Sequence, residues 1–103
     1  MSELDPIIHQ PLRLRILSAL TTLRHDERMD FVWLRDLLGA TDGNLGAHLQ
    51  KLEEAGYLNV EKTFVNRKPK TLISASDKGR AAFRAHVNAL REIIDAAPKE
   101  DEG

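Results

Sequence analysis

Leucines recur at helical spacing in the middle of the chain, while the opposite side of the same predicted helix is unusually bare. Leu45, Leu49 and Leu52 fall at i, i+4 and i+7 and form one stripe that faces a core. The other side has mostly small and amide side chains, with one lysine: Gly43, Asn44, Gly46, Ala47, Gln50 and Lys51. Another surface can approach such a helix closely, as the DNA major groove, about 12 Å wide, requires. An ordinary surface helix that is poor in charge has the same face, so the flanking elements must decide.

A shorter helix is predicted just upstream, from Asp30 to Gly39. Asp30 can cap its N-terminus, and Gly39 can take the left-handed conformation that follows many helix C-termini. Thr41 can then cap the next helix through its hydroxyl. The apolar spacing is carried by Phe31, Leu34, Leu37 and Leu38. Helix, glycine turn and helix form a helix-turn-helix motif whose second member is the recognition helix, although a plain helical hairpin has the same order.

Downstream, the pattern changes from helical to alternating. Residues 57–64 alternate apolar with polar side chains around Leu58 and Val60, as expected of a half-buried strand. Residues 65–70 have the composition of a loop, and residues 71–74 form a second β-branched run that can pair with the first. A hairpin with a basic tip, directly after a recognition helix, is a wing. Its cations are Arg67, Lys68 and Lys70, which could also belong to an ordinary solvated turn.

The two ends of the chain supply further helices. Residues 11–23 predict a first helix, preceded by a turn at residues 5–8 and followed by a charged link. Ser76 can cap a last helix that Pro98 ends. The predicted fold is therefore mainly α with a small β-hairpin, a winged helix-turn-helix.

The last helix carries more apolar positions than one packing face needs. We expect the surplus to form the interface of a symmetric homodimer built from the terminal helices. The expected dimerisation residues are Ile7, Ile8, Val87, Leu90, Ile93 and Ile94. The expected organisation is a winged-helix DNA-binding domain over residues 1–97, which includes these helices, and a flexible acidic tail over residues 98–103.

The composition limits the number of domains, the kinds of site and the cellular location that the chain can have. The chain has 103 residues, enough for one domain, and no cysteine, which excludes disulfides and thiolate metal sites. No apolar run approaches the roughly 20 residues that span a bilayer, and the acidic start is unlike a secretory signal, so we expect a cytoplasmic protein without a membrane partner. The formal net charge of -1 conceals a cationic segment, since residues 60–80 contain six cations and two acids. DNA responds to such local charge rather than to the total.

Three phrases of the sequence resemble the small winged-helix DNA-binding regulators related to the MarR and ArsR families, above all their single-domain members. The phrases are PLRLRIL in the first helix, LLGATDGNLGAHLQKLEEAGYL across the turn and recognition helix, and KTFVNRKPKTLISASDKGRAAF from wing to last helix. The resemblance runs from His9 to Leu90, and the middle phrase is the most specific. It implies a homodimeric bacterial or archaeal transcription regulator whose two recognition helices enter successive major grooves.

Other properties of these families have no support in this sequence. ArsR-type metal sensors use cysteines or closely spaced Asp, His and Glu ligands, whereas the histidines here lie far apart, at His9, His25, His48 and His86. We therefore expect no metal and no other cofactor. MarR proteins with longer helical extensions enclose a ligand cleft, for which this chain is short, so the sequence identifies no small-molecule effector. No phosphate loop, nucleophile motif or paired-ligand motif indicates an enzyme.

The expected function is sequence-specific binding of double-stranded DNA in transcription regulation. The recognition helix, residues 42–55, would enter the major groove, and the wing, residues 64–71, would contact phosphates or the minor groove. The expected DNA-binding residues are Thr41, Gly43, Asn44, Ala47, His48, Gln50, Lys51, Arg67, Lys68 and Lys70. The alternative is a winged helix that binds another protein, since a fold does not fix a function. The basic wing and the small recognition face favour DNA.

Overall fold

The elements of the chain follow the predicted order with one addition. The structure is a computed structural model, which describes residues 3–96 and residue 98. Its elements are α1 (Pro11–Leu20), β1 (Met29–Asp30), α2 (Phe31–Leu38), α3 (Asp42–Glu54), β2 (Leu58–Val65), β3 (Lys68–Ala75) and α4 (Asp77–Ala96). This order confirms the predicted winged helix-turn-helix. The predicted acidic tail lies outside the described residues except for Pro98, so the division of the chain at this point stays a prediction.

The leucine stripe of α3 lies at the centre of the core, as predicted. Leu45 and Leu52 are fully buried, and Leu49 is nearly so. The buried residues that surround the stripe, from α1, α2 and the sheet, include Ile16, Leu17, Leu20, Leu34, Leu58 and Ile73. Burying one leucine stabilises the fold by about 1.5–3 kcal/mol. The inner side of α3 therefore fixes the helix to the body and leaves its outer side in solvent.

The first helix is shorter than predicted, because α1 ends at Leu20 and not at Leu23. The hydroxyl of Thr21 donates a hydrogen bond to the carbonyl of Leu17 at 2.8 Å. The guanidinium of Arg80, from α4, donates to the carbonyls of Thr21 and Leu23 at 3.3 and 3.0 Å. A cation at this end also complements the helix dipole. Side chains thus bond carbonyls in the last turn of α1 and just beyond its end, and Arg80 joins this region to α4.

The caps of the helix-turn-helix are those that the sequence predicts. The carboxylate of Asp30 accepts from the backbone N–H of Val32 at 3.1 Å, at the start of α2. Gly39 ends α2 in the left-handed conformation, with φ at 64°. The hydroxyl of Thr41 accepts from the backbone N–H of Asn44 at 3.1 Å and so caps α3. These three local interactions set where the recognition helix begins.

The sheet has one strand more than the predicted hairpin. Its order is β1-β3-β2, and all pairings are antiparallel. The short β1 pairs Met29 with Ile73 and Asp30 with Leu72. Two residues cannot display the alternation over four or more residues by which a strand is identified in a sequence. The sequence pattern therefore did not predict this strand. Its pairing with β3 attaches the start of α2 to the wing.

The wing hairpin is longer and its turn tighter than predicted. β3 begins at Lys68, which pairs with Val65, so only Asn66 and Arg67 remain in the turn. Both turn residues have positive φ, 52° and 66°. Two-residue turns of this kind match the twist of paired strands. Lys68 and Lys70 therefore lie on a strand and not in a loop, because pairing with β2 outweighs the poor strand propensity of lysine and proline.

The N-terminal turn packs beneath α4. The backbone N–H of Asp5 donates to Nδ1 of His86 at 3.0 Å, and the hydroxyl of Tyr57 donates to the carboxylate of Asp5. Burial, together with this bond, raises the pKa of Tyr57 to about 12. Ile7 packs against the core and is half-buried. Ile8 has no exposed surface at all, which corrects its prediction as a dimer contact: its side chain is enclosed within the single chain.

We expect the stability of this end of the fold to depend on the protonation of His86. Its side chain is fully buried, and its Nε2 has no partner among the described residues. Burial, and then the neighbouring His9, lower the pKa of His86, while Asp5 has a smaller effect in the opposite direction. The unfolded chain thus binds this proton more readily than the folded chain. The free energy of unfolding should be fully retained above the ordinary histidine pKa of about 6.5 and should fall as the pH drops below it.

Chemical denaturation between about pH 5 and pH 8 measures this dependence. The matched variant is His86→Asn, because its amide oxygen occupies the δ position of the imidazole Nδ1 and can accept the hydrogen bond from Asp5 but does not titrate. The decrease toward low pH should be smaller in the variant than in the unmodified chain. An identical pH profile for both chains would contradict a role for His86.

Candidate nucleic-acid interface

The recognition helix α3 presents one continuous exposed face. The predicted contact residues Gly43, Asn44, Ala47, Gln50 and Lys51 are all exposed on it. Thr41 is exposed at its N-terminal end, and His48 is half-buried at its edge. Glu54 is also exposed on this face, but at the far end of the helix. The first three turns of α3 therefore expose small side chains together with two amide groups and one cation.

The glycines of this face are not explained by packing within the chain. A Cβ atom built on Gly43 or on Gly46 would have no heavy atom of the described residues outside its own helix within 4 Å. Gly79 of α4 is different, since a Cβ there would overlap the backbone carbonyl of Tyr57. Glycine in a helix costs about 0.5–1 kcal/mol relative to alanine. The described part of the chain does not require this cost at Gly43 and Gly46, and the two glycines leave the helix backbone open to close approach.

An ion pair controls the charge at the start of the recognition helix. Asp42 is the first residue of α3, and its carboxylate accepts a hydrogen bond from Arg35 of α2 at 2.8 Å. Arg35 also bonds the carboxylate of Asp36 at 2.9 Å. The bond to Asp42, followed by the bond to Asp36, raises the pKa of Arg35. The acid that least suits a DNA-binding face is thus paired with a cation, and the same contact joins both helices of the motif.

The three predicted wing cations have different surroundings. Arg67 and Lys68 are exposed, and neither has an ion pair with any described residue. The Nζ atom of Lys70 lies 3.6 Å from the carboxylate of Asp30, the residue that caps α2. Lys70 therefore joins the wing to the helix-turn-helix, while the other two cations remain available. The three cations were predicted to act together, because the sequence does not reveal that Asp30 lies near Lys70 in the fold.

Arg67 also has an unfavourable backbone conformation. Its φ of 66° lies in the left-handed region, which costs a residue other than glycine about 1–2 kcal/mol. A glycine would make the same turn without that cost. An arginine side chain at this apex is consistent with a role in binding that outweighs the strain.

A groove separates the recognition helix from the wing. It has a volume of about 440 Å³ and is lined by Phe31, Gly46, Leu49, Gln50, Glu53, Val60, Lys62 and Thr71. Gln50 of the helix and Lys62 of the sheet both contribute to its lining. Lys62 was not among the predicted DNA-binding residues, although its alternation with Val60 places it on the inner side of the strand. Helix and wing therefore form two neighbouring edges that can engage separate parts of one long ligand.

A second groove lies on the other side of α3, near the start of α1. Its volume is about 380 Å³, and Arg15, Thr41, Asn44 and His48 contribute to its walls. Arg15 is exposed and has no ion pair with a described residue. Arg15 was not among the predicted DNA-binding residues because it lies in α1, far from the recognition helix along the chain. The groove brings it to the side of His48, where both side chains border the face of α3.

The far end of the last helix exposes apolar side chains. α4 has 20 residues and so is about 30 Å long. Ile93 and Ile94, near its end, are 54% and 69% exposed. Val87 and Leu90, further back, are half-buried. The exposed isoleucines form an apolar surface that the described chain does not cover.

Two other features are absent from the part of the chain that the structure describes. Residues 3–96 and 98 contain no group of three or more His, Asp or Glu side chains placed to hold a metal ion. Within the same residues, no helix has both the length and the apolar character to cross a membrane. Two of the four histidines come together in the fold, since the ring centroids of His9 and His86 are 5.4 Å apart.

Comparisons with known proteins agree with this architecture. The profile described as a winged helix DNA-binding domain matches residues 12–94. An uncharacterised protein of Methanocaldococcus jannaschii is 36% identical over 87 residues, covering 84% of this chain and 91% of that protein. A transcriptional regulator homologue from Pyrococcus horikoshii OT3 is 28% identical, with a TM-score of 0.78 over 86% of this chain and 85% of that one. NolR from Sinorhizobium fredii is 25% identical, with a TM-score of 0.59 over 94% and 100% of the two chains. The chain belongs to the winged-helix DNA-binding family of transcriptional regulators.

Proposed function

We propose that this protein binds specific DNA sequences as a homodimer and thereby regulates transcription. The observation that carries the proposal is the exposed face of α3, whose glycines serve no packing purpose within the chain. A surface that approaches the helix backbone closely is what the major groove provides. The cationic wing beside this face supplies a second contact of the sign that phosphates require.

The residues of the α3 face have distinct proposed roles. Asn44 and Gln50 carry amides that can bond adenine through two hydrogen bonds, and Ala47 can contact a thymine methyl group. Lys51, with Arg15 of the neighbouring groove, would contact phosphates. The proposed phosphate-binding group also includes Thr41 and His48. Base contacts would select the sequence, while phosphate contacts fix the position of the helix in the groove.

The wing would bind beside the major groove. Arg67 at the apex and Lys68 next to it are the proposed contacts with phosphates or with the minor groove. The pairing of Lys70 with Asp30 makes Lys70 mainly a positioning residue, which holds the wing against α2. Lys62, in the groove between helix and wing, is a further proposed phosphate contact. Such contacts add affinity that depends on salt more than on sequence.

Dimerisation would bury the exposed end of α4. The proposed interface contains Ile93 and Ile94, with Val87 and Leu90 behind them and Ile7 at the edge. A two-fold axis is the commonest way to cover such a surface. It would also place two recognition helices about 34 Å apart, one helical turn of DNA. Two half-sites read together make binding more selective than the few base contacts of one chain.

A protein partner is the rival function, and one observation favours it. The outer side of α2 exposes Val32, Trp33 and Leu37 at 48%, 58% and 51%. A gel shift with random duplex DNA at low and at high salt distinguishes the two functions. Binding that weakens steeply with salt supports the DNA contact. Absence of binding at low salt would leave the winged helix as a protein-binding module.

The identity of the bases read by α3 is tested by Gln50→Ala. DNA selected from a random pool by the unmodified chain first defines the site. If Gln50 bonds a base, the variant should lose about 1–3 kcal/mol of binding free energy on that site and tolerate other bases at one position. Titrations with a panel of single-base variants of the site measure both effects. An equal loss on every sequence would show that Gln50 supports binding without selecting bases.

A further inference from the structure

The inner face of the wing hairpin continues beyond the body of the protein and ends in an exposed apolar pair. Alternate residues of β2 form this face, so Leu58 and Val60 start it within the core and Lys62 follows. Phe64 comes next and lies opposite Pro69 of β3. Phe64 is 72% exposed, more than any other large apolar side chain in the described part of the chain. The pattern that packs the hairpin onto the core thus extends to a place that the described part of the chain leaves largely uncovered.

Positive charge surrounds this pair. From Lys62 to Ser76 the sequence has four cations and no acid. The preceding acid, Glu61, is on the opposite face of the strand and is paired with Arg28. A ligand that suits both the cations and the apolar pair has negative groups separated by apolar surface. Duplex DNA has this character, because its phosphates alternate with the largely apolar faces of the deoxyribose rings.

We propose that Phe64 and Pro69 pack against the deoxyribose wall of the minor groove when the wing binds duplex DNA, an inference that rests on the DNA-binding function proposed above. Phe64 precedes the turn residue Asn66 by two positions, which places it about 7 Å from the tip of the hairpin. The minor groove is about 7.5 Å deep. Because the side chain of Arg67 spans most of that depth, the tip of the hairpin stays near the mouth of the groove, and the ring of Phe64, set back from the tip, meets sugars at the rim and not the bases. This contact adds affinity without releasing counterions.

The test separates apolar from ionic contributions by their dependence on salt. The association constant for the selected duplex is measured over a range of salt concentrations for the unmodified chain, Phe64→Ala, Val65→Ala and Arg67→Ala. Phe64→Ala should lower affinity about five- to tenfold at every salt concentration, as truncation of an important interface side chain does. Its slope of log affinity against log salt should not change. Arg67→Ala should instead reduce that slope by about one unit.

Val65→Ala is the matched control, because Val65 is 45% exposed on the opposite face of the same strand. It should change neither affinity nor slope. Phe64→Leu keeps an apolar side chain and should recover most of the affinity. Thermal unfolding and light scattering of each variant verify that the wing and the oligomeric state are unaffected, as expected for so exposed a side chain.

The outcomes distinguish this inference from the function on which it rests. If the unmodified chain does not bind duplex DNA, the proposed function fails. If it binds and Phe64→Ala binds equally well, only the sugar contact is overturned. A changed salt slope in Phe64→Ala would mean that the ring positions cations, and loss of the dimer would mean that it contacts a second copy. Either result would overturn the proposal.

Discussion

A chain that carries both Ile93→Asp and Ile94→Asp should be monomeric and bind its DNA site at least about 100-fold more weakly than the unmodified chain. The side chains are 54% and 69% exposed in the single chain, so the substitutions remove little of its own core. Across a two-fold interface, however, they would bring four carboxylates together, and like charges at an interface cost several kcal/mol. Two linked recognition helices bind about 10²–10⁴-fold more tightly than one. Losing the partner should forfeit that gain.

The matched control places the same charges on another side of the same helix. Ala81 and Ala85 of α4 are exposed, and Ala81→Asp with Ala85→Asp should leave both the dimer and DNA binding intact. Circular dichroism verifies that each variant is folded, and light scattering measures its mass. An unmodified chain that is monomeric at micromolar concentration and still binds its site tightly would refute the dimer.

Long amphipathic elements were predicted well because their periodicity is strong. The stripe of Leu45, Leu49 and Leu52 repeats often enough to define a helix and its buried side, and both are as predicted. The caps at Asp30 and Thr41 were also correct, since each depends only on a side chain and on backbone groups two or three residues away. Interactions within one segment are encoded in that segment, so its sequence reveals them.

Elements that depend on distant partners were predicted less well. The strand β1 has two residues and exists because it pairs with β3, more than forty positions further along the chain. Lys68 looked like part of a loop until its pairing with Val65 placed it on a strand. Ile8 looked like surplus apolar surface, but the fold encloses it completely. Each of these errors arose because tertiary contacts, and not local preference, decide the outcome.

In the candidate site, too, local features were predictable from the sequence and contacts between distant elements were not. Exposure of the α3 face was predictable, because it follows from the position of the leucine stripe. The pairing of Arg35 with Asp42 and of Lys70 with Asp30 was not, since each joins two elements whose relative placement the sequence does not state. These pairs change the charge of the site. The first pair neutralises Asp42 at the start of the recognition helix. The second pair binds Lys70, which was predicted to contact DNA, to Asp30.

The substitution Gly43→Glu should stabilise the protein and abolish its binding to DNA. Replacing the glycine removes its helical cost of about 0.5–1 kcal/mol. The new Cβ would meet no atom within 4 Å, and an acid in the first turn suits the helix dipole. The melting temperature should therefore rise. At the DNA surface the same side chain would place bulk and negative charge against the phosphates and bases, at a cost of several kcal/mol.

The Gly43→Glu variant should become more stable while it loses affinity for DNA. A damaged fold cannot explain weak binding by a more stable protein. Gly43→Gln has nearly the same volume without the charge, so it should retain more affinity than Gly43→Glu while melting at a similar temperature. The difference between the two variants should shrink as salt is added, since salt screens the repulsion. Thermal unfolding and fluorescence anisotropy with the selected duplex measure the two quantities. If Gly43→Glu binds the duplex as tightly as the unmodified chain, this face of α3 does not lie against DNA.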